Sequence, residues 1–386
     1  MLSRPILCRR FPGLVTAGCL VCFFYVTLIQ QSKYIQTDIW DNYKIGTRQL
    51  KVLHSFTKQV LDEPCRPGFA RGLMTQLFPG RYHPELLPFI SKNLSEMQSE
   101  EATGLRYDPP FGFRGQRDSL EAILGLMPET GLPVVGAEKG GVPPKVCRRC
   151  VVVGSGGNLR GTGLGPLLDN FDVVIRLNNA PIIKFENDVG SKTTVRITYP
   201  EGAPKSMEEY KPDSIFAAVM YKGVDFQWLE SIIKKEHVSL WTKLWFWQSV
   251  ADGVPLGPSQ FRILNLEIIG ETSMDLLGYP KPRKRIWGWD KNIPTLGVSA
   301  VVFATHLCDE VSLAGFGYDL SRPDAPLHYY ENVRMDAMKA QPMHNVDGEK
   351  LFLAGLINAG VISDLTGGVQ CTFCQKRDGS GGSNRT

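Results

Sequence analysis

The chain contains no Asp-x-Asp pair. Transferases that expel a diphosphate commonly use such a pair to hold a divalent cation, because charge builds up on the departing group. Nor is there a block of Lys and Arg long enough to make nucleic acid the main partner. The 43 basic and 39 acidic residues leave a formal charge of +4, spread along the chain. No internal repeat occurs, which excludes solenoid and propeller architectures. A dinucleotide fingerprint is also incomplete. Gly154-Ser155-Gly156-Gly157 supplies a glycine turn, but Leu159 stands where the third glycine belongs. About 20 residues on, where a nicotinamide site wants an acid for the ribose, the chain has Arg176-Leu177-Asn178-Asn179. A nicotinamide-dependent oxidoreductase is therefore disfavoured.

The N-terminus is rich in what a soluble domain avoids. Phe11 to Ile29 runs 19 residues without a charged side chain, nearly the length that spans a bilayer core. Arg4, Arg9 and Arg10 precede it and the next cation is Lys33, so the positive-inside rule leaves the short end cytosolic and the rest lumenal. A cleaved signal peptide is the competing reading. The run exceeds a usual h-region, and Tyr25, Leu28 and Gln30 form no small-residue cleavage site. A type II anchor is expected. Of nine cysteines, Cys8, Cys19 and Cys22 lie in or beside this run. The other six are Cys65, Cys147, Cys150, Cys308, Cys371 and Cys374, and pattern alone cannot pair them. The two C-x-x-C pairs would suit a four-thiolate zinc site, but an oxidising lumen favours disulfides. Asn93 and Asn384 each open a glycosylation tripeptide.

Organisation follows from periodicity. Residues 1–10 read as a cytosolic tail, 11–29 as the anchor, 30–60 as a polar stem, 61–370 as a lumenal catalytic domain and 371–386 as a tail. Helical patterns occur at Pro84–Met97 and Leu120–Leu126. From Cys147 an apolar strand (Val151–Val153), the glycine turn, a helical piece (Leu164–Phe171) and a second strand (Asp172–Leu177) make a βαβ start. Further strands are expected at Thr194–Tyr199, Ser214–Met220, Arg262–Leu264 and Glu310–Ala314, with helices at Val224–Lys235, Leu240–Ala251 and Thr295–Leu307. That alternation predicts an α/β fold, a single catalytic domain with a mostly parallel central sheet flanked by helices.

Four blocks in order carry a resemblance. Cys147 through Gly202, with "CRRCVVVGSGGNL", "VVIRLNNAP", "DVGSKTT" and "TYPEG", is similar to the large sialyl motif of animal sialyltransferases. Pro294 to Tyr318 resembles their small motif, His328-Tyr329-Tyr330-Glu331 the third, and His344 with Glu349 five residues later the very small motif. Together they frame residues 147–366, and within the family the chain looks most like the α2,3 branch. The resemblance implies a modified Rossmann-like, GT-A-like sialyltransferase fold. It implies CMP-sialic acid as donor and a terminal galactose, on lactosylceramide or another galactoside, as acceptor. Golgi residence and independence of metal also follow from it. It joins Cys150 to Cys308, and Cys65 with Cys147 makes a second bridge. Glycoprotein galactosides as acceptors, and a membrane-anchored carbohydrate-binding protein without activity, remain the alternatives. Monomer and homo-oligomer both stay open.

The chemistry can be assigned to residues. Displacing CMP from the anomeric carbon needs a base for the acceptor hydroxyl. His344 is the candidate, since an imidazole titrating near about 6.5 is partly neutral in a mildly acidic lumen. His328 can donate to the departing phosphate, and the helix starting at Pro294-Thr295 adds backbone donors and a partial positive charge. By resemblance, Thr295, Gly297 and Gly317 contact the donor from the small motif, while Ser155, Gly156 and Asn178 do so from the large one. Asn265 aligns with a position lining the phosphate, and Ser155 departs from relatives that carry Asn. His306 reads as a packed core residue, and Glu349 either complements the helix dipole or serves the motif. The run Leu240-Trp241-Thr242-Lys243-Leu244-Trp245-Phe246-Trp247 has two open readings. It contacts a membrane interface or the ceramide end of the acceptor, or it is an ordinary core helix.

Overall fold

The computed structural model describes residues 40, 45–90, 107–127, 147–281, 293–340 and 344–374. The expected anchor at 11–29 and both glycosylation tripeptides lie outside them. Among the described residues no helix is long and apolar enough to cross a membrane.

Seven strands form the described sheet: β1 Arg149–Val153, β2 Val173–Leu177, β3 Val195–Thr198, β4 Ile215–Ala218, β5 Phe261–Ile263, β6 Glu310–Ala314 and β7 Ile362–Asp364. Their order is β5-β4-β3-β2-β1-β6-β7, and every neighbouring pair is parallel. The strands are short and mostly apolar because both faces of a parallel sheet are covered. Val151, Val152, Val174 and Ile175, for example, are wholly buried. The helices of nine or more residues are α1 Thr47–Asp62, α2 Phe69–Leu77, α3 Arg117–Leu126, α4 Gly223–Lys234, α5 Leu296–Leu307 and α6 Val346–Asn358. α5 is buried nearly all round and packs on β1 and β6, as its predominantly apolar sequence requires.

The chain leaves β1 towards β2 and β5, then crosses back to β6 on the other side of β1. The order therefore reverses between β1 and β6. In open α/β sheets a crevice forms at such a point, outside the carboxyl ends of the strands.

Three local expectations are corrected. Pro84–Ile90 is not helical. Pro84 and Pro88 interrupt it, and the chain instead ties to the end of β5, with Ile90 N–H donating to Ile263 O at 3.0 Å and Asn265 N–H to Pro88 O at 3.1 Å. The helix expected over Leu240–Ala251 stops at Lys243, and Leu240, Trp241, Leu244, Trp245 and Trp247 face outward instead of into a core. Residues 47–60, read as stem, belong to α1, whose Phe56, Val60 and Leu61 pack against the apolar layer under β1 and β2.

Two long-range disulfides join the pieces, Cys65 to Cys147 and Cys150 to Cys308. The second closes a separation of 158 residues, worth about 5 kcal/mol in the chain-entropy account. Cys371 and Cys374 form a third.

Candidate active site

The crevice is built from backbone that approaches too closely for side chains. A Cβ on Gly154 or Gly156 would lie 2.5 or 2.6 Å from Gly315 O, so the turns after β1 and β6 touch. Gly317, at φ +95°, has Gly368 O 2.1 Å from where its Cβ would stand. Only glycine meets both demands. The loop behind Gly317 is fixed by Asp364, which accepts from the amides of Thr366, Gly367, Val369 and Gln370 at 2.8–3.2 Å. Asn158 adds a tie, donating to Phe316 O at 3.0 Å.

His328 belongs to this turn. Its segment pairs with Gly156, Tyr329 N–H donates to Ser155 O at 3.0 Å, and Gly157 N–H to Leu327 O at 3.0 Å. The imidazole stacks on Tyr330 at 5.3 Å between centroids, and Nδ1 bonds the Glu331 carboxylate. A carboxylate only accepts, so Nδ1 carries the hydrogen of this bond.

His344 is arranged differently. Its Nδ1 lies 2.8 Å from Ile293 O. A carbonyl also only accepts, so the neutral ring keeps its lone pair on Nε2. Burial holds its pKa below the ordinary imidazole value, against a smaller opposing effect of the Ile293 bond. Asn345 follows directly and caps α6, its Oδ1 accepting from Gly348 N–H at 3.1 Å. One imidazole thus faces a backbone carbonyl and the other a carboxylate.

α5 begins at the same edge. Thr295 caps it, with Oγ1 accepting from Val298 N–H at 3.3 Å. Glu349 holds the cap, taking Thr295 N–H at 2.8 Å and its hydroxyl at 2.6 Å. Burial pushes that carboxyl up to about 7. The Phe316 ring lies 3.1 Å from where a Gly154 Cβ would be and 3.2 Å from that of Gly297, so it joins the glycine turn to the first turn of α5. Desolvation, and after it Glu349, pushes the Tyr318 hydroxyl up to about 12.

Ser155, Gly156, Asn178, Thr295, Gly297, Gly317, His328 and His344 therefore share the carboxyl edge. Asn178 ends β2 at φ 48°, with Oδ1 3.3 Å from the Thr198 hydroxyl and against Gly202. Asn265 lies at the same edge but apart from the β1–β6 crevice. It follows β5, four places from β1, roughly 19 Å away at the usual strand spacing. Its side chain is already used, accepting from Glu267 N–H at 3.1 Å and donating to Leu87 O at 3.1 Å. Arg176 is buried beneath the sheet end, bonding Lys192 O, Thr193 Oγ1 and Val189 O. His306 is buried in the core, 2.7 Å from Glu271 and stacked on Tyr82.

Sequence reading missed a second polar group beside Asn178. Lys222 Nζ lies 2.6 Å from Glu201 and 3.1 Å from Asp225, and burial raises Asp225 to about 6. Glu201 follows β3 and Lys222 follows β4. Two charges at adjacent strand ends were the available signal. Among the described residues no cluster of three His, Cys, Asp or Glu side chains could hold a metal ion.

A glycine-lined crevice at a switch point, two imidazoles with different partners and a helix N-terminus suit a nucleotide-dependent group transferase. The chain belongs to glycosyltransferase family 29, the sialyltransferases, whose model matches residues 89–361. It is 49% identical over 371 residues to the lactosylceramide alpha-2,3-sialyltransferase of Pan troglodytes, covering 94% of this chain and 100% of that one. The Homo sapiens enzyme of the same name is also 49% identical, over 94% of this chain and 86% of its own. The Homo sapiens CMP-N-acetylneuraminate-beta-1,4-galactoside alpha-2,3-sialyltransferase is 46% identical over 79% and 77%. A mammalian sialyltransferase crystal structure superposes with a TM-score of 0.57 at 24% identity, over 78% of this chain and 98% of that one, a likeness of fold.

Proposed function

We propose that this sialyltransferase moves sialic acid from CMP-sialic acid to the 3-hydroxyl of the terminal galactose of lactosylceramide, with inversion and without a metal ion. His344 Nε2 takes the proton of the acceptor hydroxyl as its oxygen attacks the anomeric carbon. The bond from that carbon to the phosphate oxygen breaks, and CMP departs with the electron pair. His328 donates to the departing phosphate, and the N-terminal amides of α5 face the growing negative charge. A monophosphate carries less charge than a diphosphate, so these donors suffice. The glycines at 154, 156 and 317 let the nucleotide approach backbone, and Asn178 offers a neutral hydrogen-bonding group for base or ribose. The chain works as a Golgi type II membrane protein with its catalytic domain in the lumen.

The observation that carries this reading is the pair of imidazoles on one sheet edge, one facing a carbonyl and the other a carboxylate. Identity to two lactosylceramide enzymes supports the acceptor. The likeness to the beta-1,4-galactoside enzyme favours glycoprotein galactose as the second reading. The deciding experiment incubates the purified protein with CMP-sialic acid and lactosylceramide, lactose or an asialoglycoprotein, with and without EDTA. Preferred turnover of lactosylceramide, unchanged by EDTA, is expected. A preference for asialoglycoprotein, or loss of activity in EDTA, rejects the corresponding part.

A further inference from the structure

The tryptophan-rich run is neither core nor catalytic. Leu240, Trp241, Leu244, Trp245 and Trp247 are 72–78% exposed, whereas Thr242 and Phe246 between them are buried. The two inward residues fasten the segment. Ser239 Oγ caps the short helix from Thr242 N–H at 3.0 Å, and the Phe246 ring lies 4.6 Å from Lys222 Nζ. Five large apolar side chains are thereby held outward on one face. Such a patch, on the order of several hundred Å², exceeds what a monomer leaves to water without a use.

Its location is informative. Gln248 Nε2 donates to Glu201 O at 2.6 Å, and Glu201 and Lys222 follow β3 and β4. The patch therefore flanks the same carboxyl edge that holds the reacting groups. The chain also limits how far this edge travels. Fifteen residues, 30–44, separate the uncharged run 11–29 from Ile45, where the catalytic unit begins, and fifteen residues reach at most about 50 Å.

We propose that Leu240–Trp247 is a bilayer-docking surface, whose indoles seat in the headgroup region and bring the catalytic edge down to an acceptor whose lipid tail remains in the membrane. Tryptophan suits that layer because its ring is apolar with one polar N–H. The inference rests on the glycolipid reading above and adds how that acceptor is reached.

The test compares the full chain with W241S/W245S/W247S, and with L240S/L244S as a second variant, both changed only at exposed positions. Each is reconstituted in phosphatidylcholine vesicles containing lactosylceramide, and each is assayed separately on lactose in solution. Turnover of vesicle-borne lactosylceramide should fall by about tenfold or more while lactose turnover stays within about twofold, since only the first substrate uses the docking contact. Acyl-chain-brominated phosphatidylcholine should quench the fluorescence of the parent more than that of the triple variant. Equal losses on both substrates, or equal quenching, overturn the proposal. So does an unchanged substrate ratio with a shift to smaller particles in detergent, which assigns the patch to a second copy of the chain. If the parent ignores lactosylceramide but is still quenched, the acceptor reading fails and the docking surface stands.

Discussion

Glu349 offers a quantitative check on how the catalytic edge is held. Its carboxylate is buried against the cap of α5, bonded to both the amide and the hydroxyl of Thr295, and burial lifts its pKa from 4.5 to about 7. A carboxyl whose pKa rises on folding takes up a proton as the chain folds. Its contribution to stability is therefore most favourable below the unfolded pKa and is lost as pH rises towards the folded one. At 1.36 kcal/mol per unit, the loss is about 3 kcal/mol between pH 4.5 and pH 7, with no further change above. Glu349→Gln keeps an oxygen to accept from Thr295 N–H but cannot ionise. The measurement is urea unfolding of both proteins from pH 4.5 to 8, with the disulfides intact. The parent should lose about 3 kcal/mol relative to the variant across the lower part of this range and run parallel to it above pH 7. Curves that stay parallel throughout refute the assignment. A parent that gains on the variant as pH rises would mean that Glu349 is held as a stabilised carboxylate, and the burial argument would be wrong.

Gly156→Ala places a methyl 2.6 Å from Gly315 O; CMP affinity by calorimetry should fall and stability should drop by about 1–3 kcal/mol, the usual cost of overpacking. Glu331→Gln leaves His328 without its carboxylate, so kcat should fall about tenfold or more with KM for the acceptor little changed, and an unchanged kcat removes Glu331 from the positioning of His328. Replacing Cys150 and Cys308 together by Ala should cost on the order of 5 kcal/mol in unfolding free energy, read by denaturation with the other bridges intact. Activity should persist below the pH at which an ordinary imidazole protonates, because burial lowers His344; an acid limb of the pH–rate profile at or above about 6.5 contradicts that.

The buried strands were legible because a parallel sheet demands continuous apolar runs, and Val151–Val153 or Ile215–Ala218 supply little else. The motif histidines were legible through the order of the blocks around them. What faces them was not. Ile293 O reaches His344 from 51 residues away, and no pattern in one chain announces a backbone carbonyl as partner. Glu331 was within reach, three residues from His328, yet a lone i,i+3 pair also describes many surface contacts. α1 was misread although Leu53, Phe56, Val60 and Leu61 recur at helical spacing, because the polar residues between them (His54, Ser55, Thr57, Lys58 and Gln59) dominate its average polarity. The 240–251 segment misled in the opposite sense. Its apolar content suggested a core helix, but in the structure most of those side chains face outward. β7 has only three residues, too few to show any period.

The central claim is that a neutral His344 removes the acceptor proton at the β1–β6 crevice. Its most direct test is single-turnover transfer from CMP-sialic acid to lactosylceramide by the parent and by His344→Ala, with CMP binding measured on both. The parent should give an α2,3-linked product, and the variant a rate lower by about 10²–10⁴ with unchanged CMP affinity. A variant that transfers within a few-fold of the parent while binding CMP equally well would contradict it.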